Sequence, residues 1–257
     1  MIRELAENPN VHQPLAPGRE LYRDPDGRFV LYLGAGRGVH SATVQRVRLS
    51  AEEVDAVAEE IRTLLRARGR GGAEWELGES STPPDLVERL LGLGLVRDED
   101  PVAIGMVLRA GDTLDDPPGT CARPVESVEE LVLAHRIQHD AFGGGADEVD
   151  QAQAESDFAR EGADGSTFLG FVDGEPVAAG YASYTPLGLI LFGGATVPAA
   201  RGRGAYRALV AARAREAGRR GTPAVITHAG RMSRPILERL GFEPVCRIDR
   251  LLDVLSA

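Results

Sequence analysis

Lysine is absent from all 257 residues, and the 29 basic side chains are arginines. That absence excludes the phosphate-loop lysine of nucleotide hydrolases, Schiff-base chemistry and the lysine of protein kinases. Arginine-only usage is what the codon bias of a GC-rich bacterial genome produces. Cysteine is scarce: Cys121 and Cys246 stand far apart, outside any CxxC or Cys/His spacing, so neither a disulfide framework nor a zinc or other metal site is predicted. No apolar run approaches the roughly 18 residues of a membrane span. The charged start "MIRELAENPN" lacks a signal-peptide core, which predicts a cytoplasmic protein with no membrane partner. A net charge of −10 without a basic tail argues against nucleic acid as a partner.

What is present is the composition of a globular chain, 43% hydrophobic and 26% charged, long enough for two domains. "RFVLYLG" and "SATVQRVRL" read as strands. "SAEEVDAVAEEIRTLLRARG" reads as a helix with Val54, Val57, Ile61, Leu64 and Leu65 on one face, opened by a Ser50/Glu53 capping box and closed at Gly69. A strand "AEWEL", a helix "PPDLVERLLGLG" and a strand "PVAIGMVLR" follow. The turn-rich residues 111–120 read as a linker. Beyond it come helices "SVEELVLAHRIQHDAF" and "EVDQAQAESDFAREG", a hairpin turning at Asp173-Gly174 and an apolar strand "GLILFGGATV". A helix reaching about Arg220, a strand "PAVITH", a short helix "SRPILERLG" and a last extended run close the chain.

Laid together, the halves repeat. Glu88-Arg89-Leu90 matches Glu238-Arg239-Leu240, the strand around Trp75 matches that around Val225, and the helix from Ser50 matches the helix from Gly202.

Within this acidic chain, "TVPAARGRGAYRALV" places Arg201, Arg203 and Arg207 at a helix start. Unpaired N–H groups and a partial positive charge there favour an anion, and glycines let backbone approach it closely. The matching ligand is a pyrophosphate. The pattern Arg-x-x-Gly after an apolar strand resembles the acyl-CoA loop of the GNAT N-acetyltransferase superfamily, and the resemblance runs from about Arg123 to Leu255. "ILERLGF" resembles the family's short helix closing on Gly-Phe. Tyr206 is a departure, standing where the family has glycine or alanine.

The resemblance implies an α/β (α+β) fold of two GNAT-like domains, each a mixed, mostly antiparallel sheet flanked by helices. Residues 1–110 would be a degenerate copy without a CoA loop, and 121–257 the acetyltransferase. It implies acetyl-CoA as co-substrate, with Gly194, Ala195 and Thr196 along its pantetheine arm. Gly202, Arg203, Gly204, Ala205, Tyr206 and Arg207 would surround the pyrophosphate together with Arg201. It also implies direct attack by the primary amine of a small molecule on the thioester, an oxyanion held by a backbone N–H near Ala195, and an acid for the departing thiolate. The family's acid tyrosine and basic glutamate fall here on Leu237 and near Phe192, so neither is present. His228 is the titratable side chain to test first, with Ser233 placed to contact the thiol end. A CoA-binding sensor without turnover, and an enzyme modifying protein N-termini or lysines, remain open, as does a homodimer.

Three other features read as structure. "GAGRGVH" gives Gly-x-Gly after a strand but precedes another strand, so it is a hairpin connection and not a dinucleotide fingerprint. His135 and His139 lack the glutamate of HExxH and read as helix surface or pocket rim. Asp147, Glu148, Asp150, Glu155 and Asp157 read as a solvated face or a lure for a cationic amine. In the first copy, Ser50 and Glu53 cap their own helix, and Glu52 with Glu53 would repel phosphate.

Overall fold

A computed structural model describes residues 1–109, 114–142 and 151–255. The first half holds α1 (Ile2–Glu7), β1 (Glu20–Arg23), β2 (Val30–Leu33), β3 (Ala42–Gln45), α2 (Val54–Ala67), β4 (Gly72–Gly78), α3 (Leu86–Gly92) and β5 (Val96–Arg109). The second holds β6 (Thr120–Pro124), α4 (Val128–Ala141), α5 (Gln151–Phe158), β7 (Gly165–Val172), β8 (Glu175–Thr185) and β9 (Gly188–Thr196). It ends with α6 (Ala205–Arg220), β10 (Ala224–Ala229), α7 (Arg234–Arg239) and β11 (Glu243–Val254). Most expected elements are there. The sequence reading lacked α1, β1 and β6, because one is six residues long and the others are short strands with exposed or half-buried side chains. Residues 111–113 of the expected linker and Asp147, Glu148 and Asp150 lie outside the described residues.

All eleven strands form one mixed, mostly antiparallel sheet, ordered β1-β2-β3-β4-β11-β5-β10-β9-β8-β7-β6. The duplication is visible in the pairing. β3 runs parallel to β4 at Thr43–Glu74 and Val44–Trp75, and β9 runs parallel to β10 from Leu189–Val225 to Leu191–Thr227. The final strands are exchanged: β5 lies beside β10, β11 lies beside β4, and the two pair with each other at the centre.

Period-two alternation sorts the faces. Trp75 and Leu251 pack with Val57, Ile61 and Leu65 of α2 and Leu90 of α3, while Leu189, Leu191 and Val225 pack with Leu209 and Val210 of α6. On the opposite face Ile190, Ile226 and Ile248 pack under Leu5 and Ala6 of α1, and α4 covers Leu169 and Ala179. The buried stripe of α4 is Leu131, Ala134 and Ile137. Asp173 and Gly174 take positive φ, 52° and 87°, as a tight primed hairpin turn requires. No helix among the described residues is long and apolar enough to cross a membrane.

Candidate functional site

The start of α6 is left open. Gly202 and Gly204 have φ of +80° and +97°, conformations that glycine adopts without strain, and Gly204 provides no side-chain cap. The backbone N–H groups from Gly202 to Arg207 find no acceptor among the described residues; the next, that of Ala208, bonds the Gly204 carbonyl. Arg201 lies against the carbonyls of Thr196 and Ala141, and Arg203 pairs with Asp173 at 2.6 Å. The Arg207 side chain is exposed and forms no hydrogen bond or ion pair with the described residues. Unbonded amides, helix dipole and a free guanidinium together make an anion seat. The matching start of α2 also lacks a side-chain cap, but its N-cap is Glu53, whose carboxylate accepts the Ser50 N–H at 2.8 Å and is held below its ordinary range by Ser50's backbone and hydroxyl bonds, so a negative charge stands where α6 has glycine.

From this seat a cavity of about 1250 Å³ runs through the sheet. It exists because β9 and β10 pair only as far as Leu191 and Thr227 and then separate, β9 following β8 to Thr196 and β10 following β5 to Ala229. Among the described residues, the β10-facing edge of β9 after Leu191 therefore has no strand partner. At Gly193, with φ of +57°, β9 bulges against β8, and the Gln138 side chain donates to the Gly193 carbonyl at 2.8 Å. Gly194, Ala195, Thr196, Arg201 to Arg207, His228 and Ser233 all border this one cavity.

Two buried groups of α6 meet at the bulge. The ring of Tyr206 lies against Gly194, and burial pushes its hydroxyl above the usual tyrosine range, with the Arg213 charge opposing. Arg213, 1% exposed, donates to the carbonyls of Leu209 and Tyr181 at 3.1 Å and of Phe192 at 3.5 Å.

The far end of the cavity belongs to the first half. Tyr32, His40, Thr43, Glu74 and Glu76 border it with Asp100 and Arg250. In β4 the period-two alternation turns Ala73, Trp75 and Leu77 to the core and Glu74 and Glu76 to the cavity. His228 on β10 reaches the same place. Its Nε2–H donates to the Ala6 carbonyl at 2.8 Å and its Nδ1 lies 3.3 Å from Glu76 Oε1. Burial disfavours the imidazolium, but the Glu76 charge, its hydrogen bond and the Ala6 carbonyl outweigh that and raise His228 above 6.5. Glu76 is held low by His228 against the opposing effect of burial. Glu74 accepts from Arg250 at 2.6 Å and stands 3.5 Å from His40.

No protein-family model matches the chain, and no curated protein matches it in sequence. Solved structures do match. A GCN5-related N-acetyltransferase from Kribbella flavida is similar at 25% identity and TM-score 0.63, over 91% of this chain and 89% of that one. A tandem GNAT protein from the clavulanic acid biosynthesis pathway is similar at 17% identity and TM-score 0.58, over 100% and 88%. The chain has a tandem GNAT fold. A GCN5-related N-acetyltransferase from Sphaerobacter thermophilus shares that GNAT fold at 16% identity and TM-score 0.63, over 93% and 81%.

Leu237, fully buried in the α6-side core, and Phe192, half-buried, have hydrocarbon side chains with no proton to exchange. Ser233 begins α7, its hydroxyl 3.4 Å from the Gly230 carbonyl. His135 borders a second, smaller cavity with Asp157, and His139 stands 3.8 Å from Asp140. Sequence reasoning missed Glu74, Glu76 and Arg213. The two glutamates were legible as the polar phase of "AEWEL", a phase that a solvated strand face would share.

Proposed function

We propose that the protein is an N-acyltransferase that transfers the acyl group of a CoA thioester, acetyl-CoA being the simplest, to the primary amine of a small molecule. The observation that carries this reading is the run of unbonded amides from Gly202 to Arg207 opening onto the gap between β9 and β10. Residues 121–257 would be the CoA-binding half, 1–110 the degenerate half, and 111–120 the link between them.

The residues present fit such a donor. The amides of Gly202 to Arg207 and the Arg207 guanidinium would hold the pyrophosphate, and the unpaired β9 edge from Gly194 to Thr196 would bond the pantetheine amides. When bound, the thioester supplies an activated carbonyl carbon. At the opposite end the carboxylates of Glu74, Glu76 and Asp100, set among Arg250, His40 and His228, would offer acceptors that orient an ammonium ion. His228, held against Glu76 and Ala6, is the group placed to manage the proton lost by the amine. Tyr206, kept protonated by burial, is the group placed to supply a proton at the Gly194 end. On this reading the first half is not idle: its β4 supplies the acceptor wall.

The test is thiol release from acetyl-CoA across a panel of amines, beside calorimetric binding of CoA. CoA binding with release from at least one amine is expected. Binding without release from any amine points to a sensor, release only with peptides points to a protein-modifying enzyme, and absence of CoA binding overturns the assignment of the loop.

A further inference from the structure

Arg213 is hard to account for as packing. It sits on the sheet-facing side of α6, 1% exposed, in a chain whose other arginines largely pair with carboxylates. A buried charge without a partner is costly, and removal from water lowers its proton affinity. Burial drives Arg213 down to about 10, and Tyr206 is the one titratable group that counters it. Among the described residues no carboxylate reaches the guanidinium.

Its hydrogen bonds are also incomplete. Nε donates to Leu209 and Nη1 to Tyr181 and Phe192, which ties the bulge of β9 to α6. Nη2 makes no hydrogen bond to the described residues, and Arg213 forms part of the cavity wall. Two glycines clear the space around it: a Cβ at Gly180 would come within 2.7 Å of Nη1, and one at Gly194 within 3.3 Å of Nη2. Leucine in place of Arg213 would join Leu209 and Val210 in the α6-side core without burying a charge. The guanidinium therefore brings to the cavity wall, beside Gly194, a planar donor suited to an oxyanion.

We propose that Arg213 reads a carboxylate at the free end of the donor's acyl group, so that the preferred donor is a CoA thioester of a dicarboxylic acid. This rests on the reading of the α6 loop as a CoA site. The acyl carboxylate would meet Nη2 inside the wall, while the acceptor amine meets Glu74 and Glu76 from the opposite end. Opposite charges at the two ends of one cavity sort donor from acceptor.

The experiment is calorimetric binding of CoA, acetyl-CoA, malonyl-CoA, succinyl-CoA and glutaryl-CoA to the full chain and to Arg213→Met. At least one carboxyacyl thioester is expected to bind about tenfold tighter than acetyl-CoA, the scale of one charge-assisted contact. That preference should vanish in Arg213→Met while CoA affinity stays within about threefold. If none of the three binds tighter than acetyl-CoA to the unmodified chain, the proposal is overturned with the CoA site intact. If CoA itself does not bind, the underlying reading fails instead. The unmodified chain decides the matter even where Arg213→Met does not fold, and Arg213→Lys, which keeps the charge but loses the planar fork, should retain part of the preference.

Discussion

His228 Nδ1 on β10 lies 3.3 Å from Glu76 Oε1 on β4, a contact between the two copies that spans the exchanged strands β5 and β11. Gly105 of β5 makes room for it. The Ala6 carbonyl that accepts from His228 Nε2 would stand 2.7 Å from a Cβ at that position.

The pair makes a pH prediction. With its affinity for protons raised, His228 keeps its charge to higher pH than an ordinary histidine and becomes a base only above that value. If it takes the proton from the amine, the rising limb of the pH–rate profile lies above 6.5 and moves to lower pH in Glu76→Gln, where burial is left dominant. The same raised value means that the pair's stabilisation is complete below 6.5 and fades as pH rises through it, so Glu76→Gln should lower Tm more at pH 6 than at pH 9. A limb that does not move in the variant removes His228 from the proton path.

At the loop, Gly202→Asp adds a carboxylate at φ of +80° with nothing within 4 Å, and aspartate tolerates that conformation better than most residues. CoA affinity should fall by roughly 100-fold or more with Tm nearly unchanged, and Arg207→Glu should cost about tenfold. Unaltered affinity in both variants by calorimetry would contradict the assignment.

Tyr206→Phe keeps the ring against Gly194 and removes only the hydroxyl. Turnover in the thiol-release assay should drop roughly 100-fold while the affinity for CoA holds. An equal loss of both would make Tyr206 a binding group instead of a proton donor.

A stability prediction concerns the exchanged strand. Asp253 of β11, 3% exposed, takes a two-pronged hydrogen bond from Arg62 of α2 at 2.9 and 3.0 Å. Asp253→Ala leaves that guanidinium without its partner and should cost about 3 kcal/mol, read by urea titration. A loss under 1 kcal/mol would mean that solvent replaces the aspartate at about that cost.

The arginine loop, the helices and the duplication were legible because each writes a local signal: glycine at positive φ, a 3.6-residue stripe, a repeated Glu-Arg-Leu. The expected Ser50/Glu53 cap does not reach α2, which starts at Val54 without a side-chain cap; what separates the two helix starts is the charge of Glu53 where α6 has Gly204. What stayed hidden was relational. The alternation of "FEPVCRIDRLLDVL" identifies a strand but not that Leu251 will face Trp75 of the other copy. Arg213 looked like one more arginine of a helix rich in them, because burial depends on which face the sheet covers. Glu74 and Glu76 acquired meaning only when β11 carried Arg250 alongside and β10 brought His228 within reach.

The exchange of β5 and β11 also sets how the cavity comes into being. Pairing Val107 with Glu243 and Trp75 with Leu251 joins the middle of the chain to residues 243–254, so the first copy cannot complete its sheet until β11 has been made and the second needs β5 of the first. Contacts so distant in sequence slow folding and bind the two copies into one cooperative unit. The donor loop and the acceptor wall thus form in the same event, and a chain cut at the linker would forfeit both.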